Sequence, residues 1–188
     1  MARPKSEDRQ NAIMSAAIRV IASQGLSAAT ATIAKEAGVS NGSLFTYFET
    51  KAHLLNQLYM ELKEEMAAVA LNELPTESDT RMQVLHMWSS WLHWATSCPE
   101  KRRTLELLSI SDEITTESHK TASLALSGIR ELLKRSSENG PMRETPLGFI
   151  AALMGGLAEA TIDYMLFDPA NAEKHCMAGF EAFWRMLS

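Results

Sequence analysis

Cysteine is scarce. Cys98 and Cys176 are the only two in 188 residues, too few and too far apart for a zinc cluster or a disulfide framework. They read as reduced thiols, which fits a cytoplasmic location and leaves one alternative role, a redox-sensing regulator acting through Cys98 or Cys176. An excess of basic charge is missing as well: 18 Lys/Arg stand against 23 Asp/Glu, a net charge of −5. The deficit is uneven along the chain. Residues 1–53 carry six Lys/Arg against four Asp/Glu, whereas residues 54–188 carry twelve against nineteen. Phosphate attraction is local and screened beyond roughly 10 Å, so an acidic distal part does not prevent the first 53 residues from binding nucleic acid.

Sheet signals are also lacking. No alternating run of β-branched residues is bounded by turns, and Ala, Leu, Met, Glu and Lys dominate, so an all-α protein is expected. No basic start followed by an apolar core opens the chain, which argues against a secretory signal. The longest apolar segment, Phe149 to Phe167, contains Glu159, Asp163 and the Gly155-Gly156 pair. It reads as a buried interface helix, with no membrane partner. His86 and His93, with Cys98 beyond, form the only cluster suggestive of chemistry. Without an acidic partner at ligand spacing, neither catalysis nor a metal nor a cofactor is expected.

About nine helices are predicted. The first runs from about Glu7 to Gln24, with Ile13, Ala17, Val20 and Ile21 inward and Gly25 as its stop. The fourth, capped by Thr50, runs from Lys51 to about Leu71. The fifth spans Ser78 to Ser97, and Pro99 opens the sixth. A seventh covers roughly Thr116 to Ser137, ended by Asn139-Gly140-Pro141. The last two follow Thr145-Pro146 and Asp168-Pro169, each a capping residue before a proline. Length and charge suggest two domains, residues 1–53 and 54–188.

Helices two and three occupy residues 30–51 and carry the strongest signal. Ile33, Ala34 and Ala37 give the second helix an apolar side, and Gly38 turns the chain in a left-handed conformation at no β-carbon cost. Val39 packs into the corner. Ser40 caps the third helix, whose Leu44 and Phe48 form an inward stripe. Asn41, Gly42 and Ser43 begin that helix, and Phe45, Thr46 and Tyr47 are left on a polar-aromatic side suited to a DNA groove. This is the spacing of a helix-turn-helix.

The run from Ala37 to Leu54, Ala-Gly-Val-Ser-x-Gly-x-Leu-aromatic-x-Tyr-Phe-x-Thr-Lys-x-x-Leu, resembles the TetR family of one-component bacterial transcriptional repressors, as do Ala16-Ala17 and Gly25. The opening Met-Ala-Arg-Pro-Lys-Ser-Glu-Asp and the closing Gly179 to Arg185 look like the RamR-like branch, whose members are multidrug-responsive. The resemblance implies an N-terminal three-helix DNA-binding domain, followed by a helical ligand-binding and dimerisation domain. The family's phosphate contact on helix two falls on Thr30. The next position, usually basic or polar, is Ala31, and one residue fewer than usual separates Gly25 from Ile33.

Site residues follow from chemistry and resemblance together. Asn41 and Ser43 are candidates for base edges, Gly42 for close backbone approach and Phe45 for a thymine methyl. Tyr47 and Lys51 suit phosphates, Ser40 and Thr46 complete the face, and Arg3 and Lys5 form a basic arm that can enter a minor groove. Trp88, Trp91 and Trp94 with Met87 and Tyr59 concentrate aromatic surface. It serves either core packing or an apolar pocket for aromatic or cationic amphiphiles. The resemblance places Tyr59, Lys63, Trp88 and Met154 near a ligand cavity, with Val84, Leu133, Ala151 and Met154 making it greasier; Trp91 shares the side of Trp88.

The same resemblance implies a homodimer through residues of about 146–187. Ile150, Leu153, Leu157, Ala160 and Tyr164 mark one helix side, and Met177, Phe180, Phe183, Trp184 and Leu187 the other. The resulting reading is a ligand-responsive repressor that binds a palindromic double-stranded DNA operator and is released by a small hydrophobic or aromatic effector. A helical partner protein without DNA affinity is the remaining alternative.

Overall fold

A computed structural model describes residues 5–188. Among the described residues it contains ten α-helices, one 3₁₀ turn and no strand: α1 (Lys5–Gln24), α2 (Thr30–Glu36), α3 (Asn41–Tyr47), α4 (Lys51–Leu71), α5 (Thr80–Ser97), α6 (Pro99–Ser109), α7 (Thr116–Ala125), α8 (Ser127–Ser137), α9 (Leu147–Phe167), the 3₁₀ turn Pro169–Asn171, and α10 (Ala172–Leu187). The all-α expectation holds. The predicted helix over Thr116 to Ser137 is two helices, parted at Leu126 with ψ near 5°. Ser127 and Gly128, both weaker helix formers than alanine, sit at the break. Gly128 also has a spatial reason: a β-carbon there would lie 2.6 Å from the Leu71 side chain.

The other boundaries differ by a turn or less. α5 begins at Thr80 because the Asp79 carboxylate accepts from the Met82 N–H at 2.8 Å, and Thr50 caps α4 by accepting from the His53 N–H at 3.0 Å. Before α10, Asp168 accepts from both Asn171 and His175, so the chain makes a 3₁₀ turn first. The His175 hydrogen bond, followed by that of Asn171, holds the Asp168 carboxyl below its ordinary pKa.

The helices form two compact units. One comprises the residues up to Lys63 together with Cys98–Ala122, and the other comprises Glu64–Ser97 with Ser123–Ser188. α4 therefore contributes to both. In the first unit, Ile13, Ala16, Ala17 and Ile21 of α1 are fully buried, with Ile33, Leu44, Phe48, Leu54 and Leu108. The second unit packs α5, α8, α9 and α10 on one another; its core holds Val84, Trp88, Leu92, Leu133, Ala158, Ile162, Phe180 and Phe183.

α9 is long and apolar enough to cross a membrane by length and composition, at a mean hydropathy of 1.4. Its inner side is nonetheless committed to the core through Ile150, Met154, Ala158, Ile162 and Met165. Ile150, expected on the dimer face, belongs to this inner set, and Phe180, Phe183 and Leu187 of α10 are likewise fully buried within one chain. They supply the core and not the free surface.

Candidate nucleic-acid interface and effector region

The corner between α2 and α3 is built from backbone bonds that require its glycine. Gly38 has φ +69°; its N–H donates to the Lys35 carbonyl at 3.1 Å, and the Val39 N–H reaches back to Ala34 at 2.9 Å. These two bonds are a Schellman motif, which satisfies the last carbonyls of α2. Gly25, at φ +79°, ends α1 in the same conformation. The shortened approach from Gly25 leaves Ala29 at the N-cap of α2, where it offers no side-chain acceptor, so Thr30 enters the helix as its first residue.

α3 starts on a true cap. Ser40 Oγ accepts from the Ser43 N–H at 3.0 Å and lies 2.9 Å from Ser43 Oγ. Leu44 and Phe48 are completely buried, which fixes the rotation of a helix only seven residues long. Outward it presents Asn41, Gly42, Phe45 and Thr46, all exposed, with Ser43 and Tyr47 half-buried. A β-carbon on Gly42 would meet only Ser40 Oγ, at 3.9 Å, so the backbone at its first turn is open to close approach. Phe45, 40% exposed, is an aromatic ring without a place in the core.

Not every candidate stands as its residue type suggested. Thr46 Oγ1 bonds back to the Gly42 carbonyl at 3.3 Å, and Ser43 shares its hydroxyl with the cap. Lys51 has its ammonium 2.6 Å from the Leu26 carbonyl. It ties the turn between α1 and α2 to the first residue of α4, a positioning contact that the phosphate reading did not foresee. Arg3 lies outside the described residues; Lys5 begins α1. Two contacts that support the unit were missed from sequence: an exposed Arg19–Glu36 pair at 2.8 Å joining α1 to α2, and the buried Thr104 hydroxyl donating to the Ile18 carbonyl at 3.0 Å. Neither follows from a local pattern, because the partners are 17 and 86 positions apart.

The effector candidates divide between the two units. In the first, Tyr59 is 5% exposed, with its hydroxyl 3.1 Å from His119 Nδ1. Burial raises its pKa. Lys63 Nζ lies 5.7 Å from the same ring. In the second unit, Trp88, Val84 and Leu133 are fully buried and Met154 is 7% exposed, while Trp91 and Ala151 are half-buried. Trp88 stacks on Phe183 with centroids 5.7 Å apart, meets Trp91 edge-on, and donates its indole N–H to the Cys176 carbonyl at 3.1 Å. For Trp88 the core-packing alternative describes this form of the protein. Cys176 is buried and its pKa is raised chiefly by that burial, which disfavours the thiolate that redox sensing needs.

An open apolar groove of about 250 Å³ is formed elsewhere, along the outer sides of α9 and α10, by Leu157, Ala160, Thr161, Tyr164, His175 and Ala178. It includes none of the candidate effector residues.

Comparison with known proteins agrees with this geometry. Residues 13–58 match the model of the bacterial regulatory proteins of the tetR family. A TetR family transcription regulator from Shewanella sp. PV-4 is similar over 94% of this chain and 96% of its own, at 29% identity and a TM-score of 0.85. Together these findings show that the chain is similar to TetR family transcriptional regulators. The matched segment contains α2, α3 and the cap of α4, so the similarity falls on the same residues as the helix-turn-helix geometry. Two further TetR-like structures share the fold. One is LfrR from Mycobacterium smegmatis in complex with proflavine, at 19% identity, TM-score 0.70 and coverage of 94% and 95%. The other is FadR from Bacillus subtilis in complex with stearoyl-CoA, at 18% identity, TM-score 0.68 and coverage of 95% and 97%.

Proposed function

We propose that this chain is a TetR family regulator, a non-catalytic, cytoplasmic repressor that binds a palindromic operator as a homodimer and is released by a small hydrophobic or aromatic effector, in the manner of the RamR-like multidrug-responsive repressors. The observation that carries the reading is the outer face of α3. Its inner residues Leu44 and Phe48 are locked, its cap is made, and Asn41, Gly42 and Phe45 remain unburied side by side. An exposed ring and amide on a rigid short helix have little use in a solvated surface and a direct one in a major groove.

The dimer is proposed from the outer side of α9 and α10. Phe149, Tyr164, Phe167 and Met177 are 57%, 61%, 83% and 40% exposed, an apolar surface that a single chain leaves in water. β-carbons added to Gly155 and Gly156 would have no atom within 4 Å, so a second helix can approach there closely. Two copies related by a two-fold axis would bring two α3 helices to half-sites about one helical turn or more apart. Effector binding is supported by the complexes of the two TetR-like relatives with proflavine and stearoyl-CoA. Because Trp88, Val84 and Leu133 are closed over in this form, an effector that reaches them must part α5, α8 and α9. It would thereby select a second arrangement of those helices.

Two substitutions separate base reading from anchoring. Asn41→Ala should relax preference at one operator position by about 1–3 kcal/mol. Tyr47→Phe keeps the half-buried ring and removes only the hydroxyl, so it should weaken all sequences alike, by about three- to tenfold. Binding of single-base operator variants at fixed salt checks both. If Asn41→Ala lowers every variant equally, α3 does not read bases through this residue.

A further inference from the structure

The inner side of α4 is interrupted by one amide. Leu54, Leu55, Leu58 and Leu62 are at most 2% exposed, and Asn56 sits among them at 8%. Burial of a carboxamide is costly unless its donors and its acceptor all find partners. Here they do. Nδ2 donates to the Ala52 carbonyl at 2.8 Å and to the Glu113 carbonyl at 2.7 Å, and Oδ1 accepts from the Thr115 N–H at 2.9 Å. Glu113 and Thr115 lie in the turn between α6 and α7, so one side chain grips that turn through an acceptor and a donor two residues apart.

This grip differs in kind from the leucines around it. Apolar contacts are non-directional and tolerate sliding, whereas the two hydrogen bonds to the Glu113 and Thr115 backbone are satisfied together in a single register, with the second amide proton satisfied by Ala52 of α4 itself. One turn along α4, Tyr59 meets His119 by its hydroxyl and by its ring edge, at a centroid distance of 5.1 Å. At the start of α4, Lys51 holds the Leu26 carbonyl. The first half of α4 is thus pinned to the α1–α2 turn by Lys51 and to the α6–α7 turn by Asn56. The segment Cys98–Ala122 also leaves and rejoins the chain of the second unit at its two ends. Within that segment the turn from Glu113 to Thr115 is held to α4 by this amide.

From this arrangement we infer that Asn56 is a positioning residue for operator recognition: it locks α4 to the α6–α7 turn in one register and so sets where α4 carries α3. The inference rests on the operator-binding reading and names the contact that regulates it. With the latch formed, the separation of the two reading helices is defined, and the protein discriminates between half-site spacings. With the latch cut, α4 slides on its leucines and the discrimination fades.

The test uses the full chain, an operator selected from random duplex DNA, and versions of it with half-sites one base pair closer or farther apart. Asn56→Leu removes all three bonds at similar volume; Asn56→Asp keeps the acceptor for Thr115 and turns oxygens on two carbonyls. Each should lower affinity for the selected spacing by about tenfold. Affinities for the altered spacings should fall less, so that the ratio between spacings shrinks. Exchange of the Thr115 amide hydrogen should quicken in Asn56→Leu.

Loss of affinity equal at every spacing and proportional to the fall in thermal midpoint would make Asn56 merely structural and overturn the inference, as would unchanged affinity with an unchanged ratio. If Asn56→Leu does not fold, the same two readings are taken on Asn56→Asp. A wild-type chain that binds no duplex would overturn the functional reading and the latch with it. A wild-type chain that binds, with variants that lose affinity uniformly, would overturn the latch alone.

Discussion

Trp88→Ala is expected to lower the unfolding free energy by about 3–5 kcal/mol, the range for removing a large aromatic side chain from a core. The ring is completely buried and stacked within 15° of parallel on Phe183. Its absence would leave a cavity bordered by Phe183 and Trp91, and a Cys176 carbonyl without its indole donor. Collapse of the neighbours is limited on the α10 side. A β-carbon on Gly179 would already lie 3.0 Å from the Trp88 ring and closer still to Thr161, so α10 is packed against that ring as tightly as glycine allows. Denaturant titration of the two proteins measures the difference. A loss under about 0.5 kcal/mol, the range of surface substitutions, would show that Trp88 is not a core residue and would return it to the role of an open pocket wall. The expected large loss also bears on effector work: a Trp88→Ala protein that fails to respond to a ligand has been destabilised, and its silence does not locate the ligand.

Leu157→Glu should have the larger functional effect with little effect on the fold. Leu157 lines the groove on the outer side of α9 and is half-buried in a single chain, so a carboxylate there remains hydrated in the monomer. In a two-fold dimer the same residue is placed at the interface twice, and each buried unpaired charge costs several kcal/mol. Dimerisation at micromolar concentration should be lost and operator affinity should fall about a hundredfold or more, since one α3 helix in place of two forfeits half the contacts. Sedimentation equilibrium and gel-shift titration measure the two effects. A variant that stays dimeric and binds within twofold of the parent would remove the outer side of α9 from the interface.

The helix-turn-helix was legible in sequence because its determinants are local. Gly25 and Gly38 take the left-handed conformation, Ser40 caps α3 three residues ahead of the N–H it accepts from, and Leu44 with Phe48 repeats at helical spacing. Thr50 and the full span of α4 were legible for the same reason. The break at Leu126 was not, because the stripe of apolar residues continues across it and the cause of the tight fit at Gly128 is Leu71, far away in the chain. Local spacing also could not divide the apolar residues of α9 and α10 between core and surface. Both sides of α9 are apolar, and packing against α5, α8 and α10 decides that Ile150 turns in and Tyr164 out.

Among the site residues, chemistry suggested Lys51 for phosphate, yet its nearest acceptor is the Leu26 carbonyl. Asn56 carried a signal in the sequence: of the two amides in Leu-Leu-Asn-Gln-Leu, residues 54–58, one that falls on the buried helix side implies a partner elsewhere in the fold. The aromatic run in α5 leaves core and pocket both open in sequence, and tertiary packing buries Trp88 against Phe183 in this form.

The central claim is that α3, presented in pairs, reads a two-fold symmetric DNA site. Selection of duplexes from random-sequence DNA with the purified chain, followed by measurement of chains bound per recovered site, tests it most directly. The account predicts an inverted repeat bound by two chains, with affinity falling steeply as salt rises. Recovery of no enriched sequence, or of a single unrepeated site occupied by one chain, would contradict it.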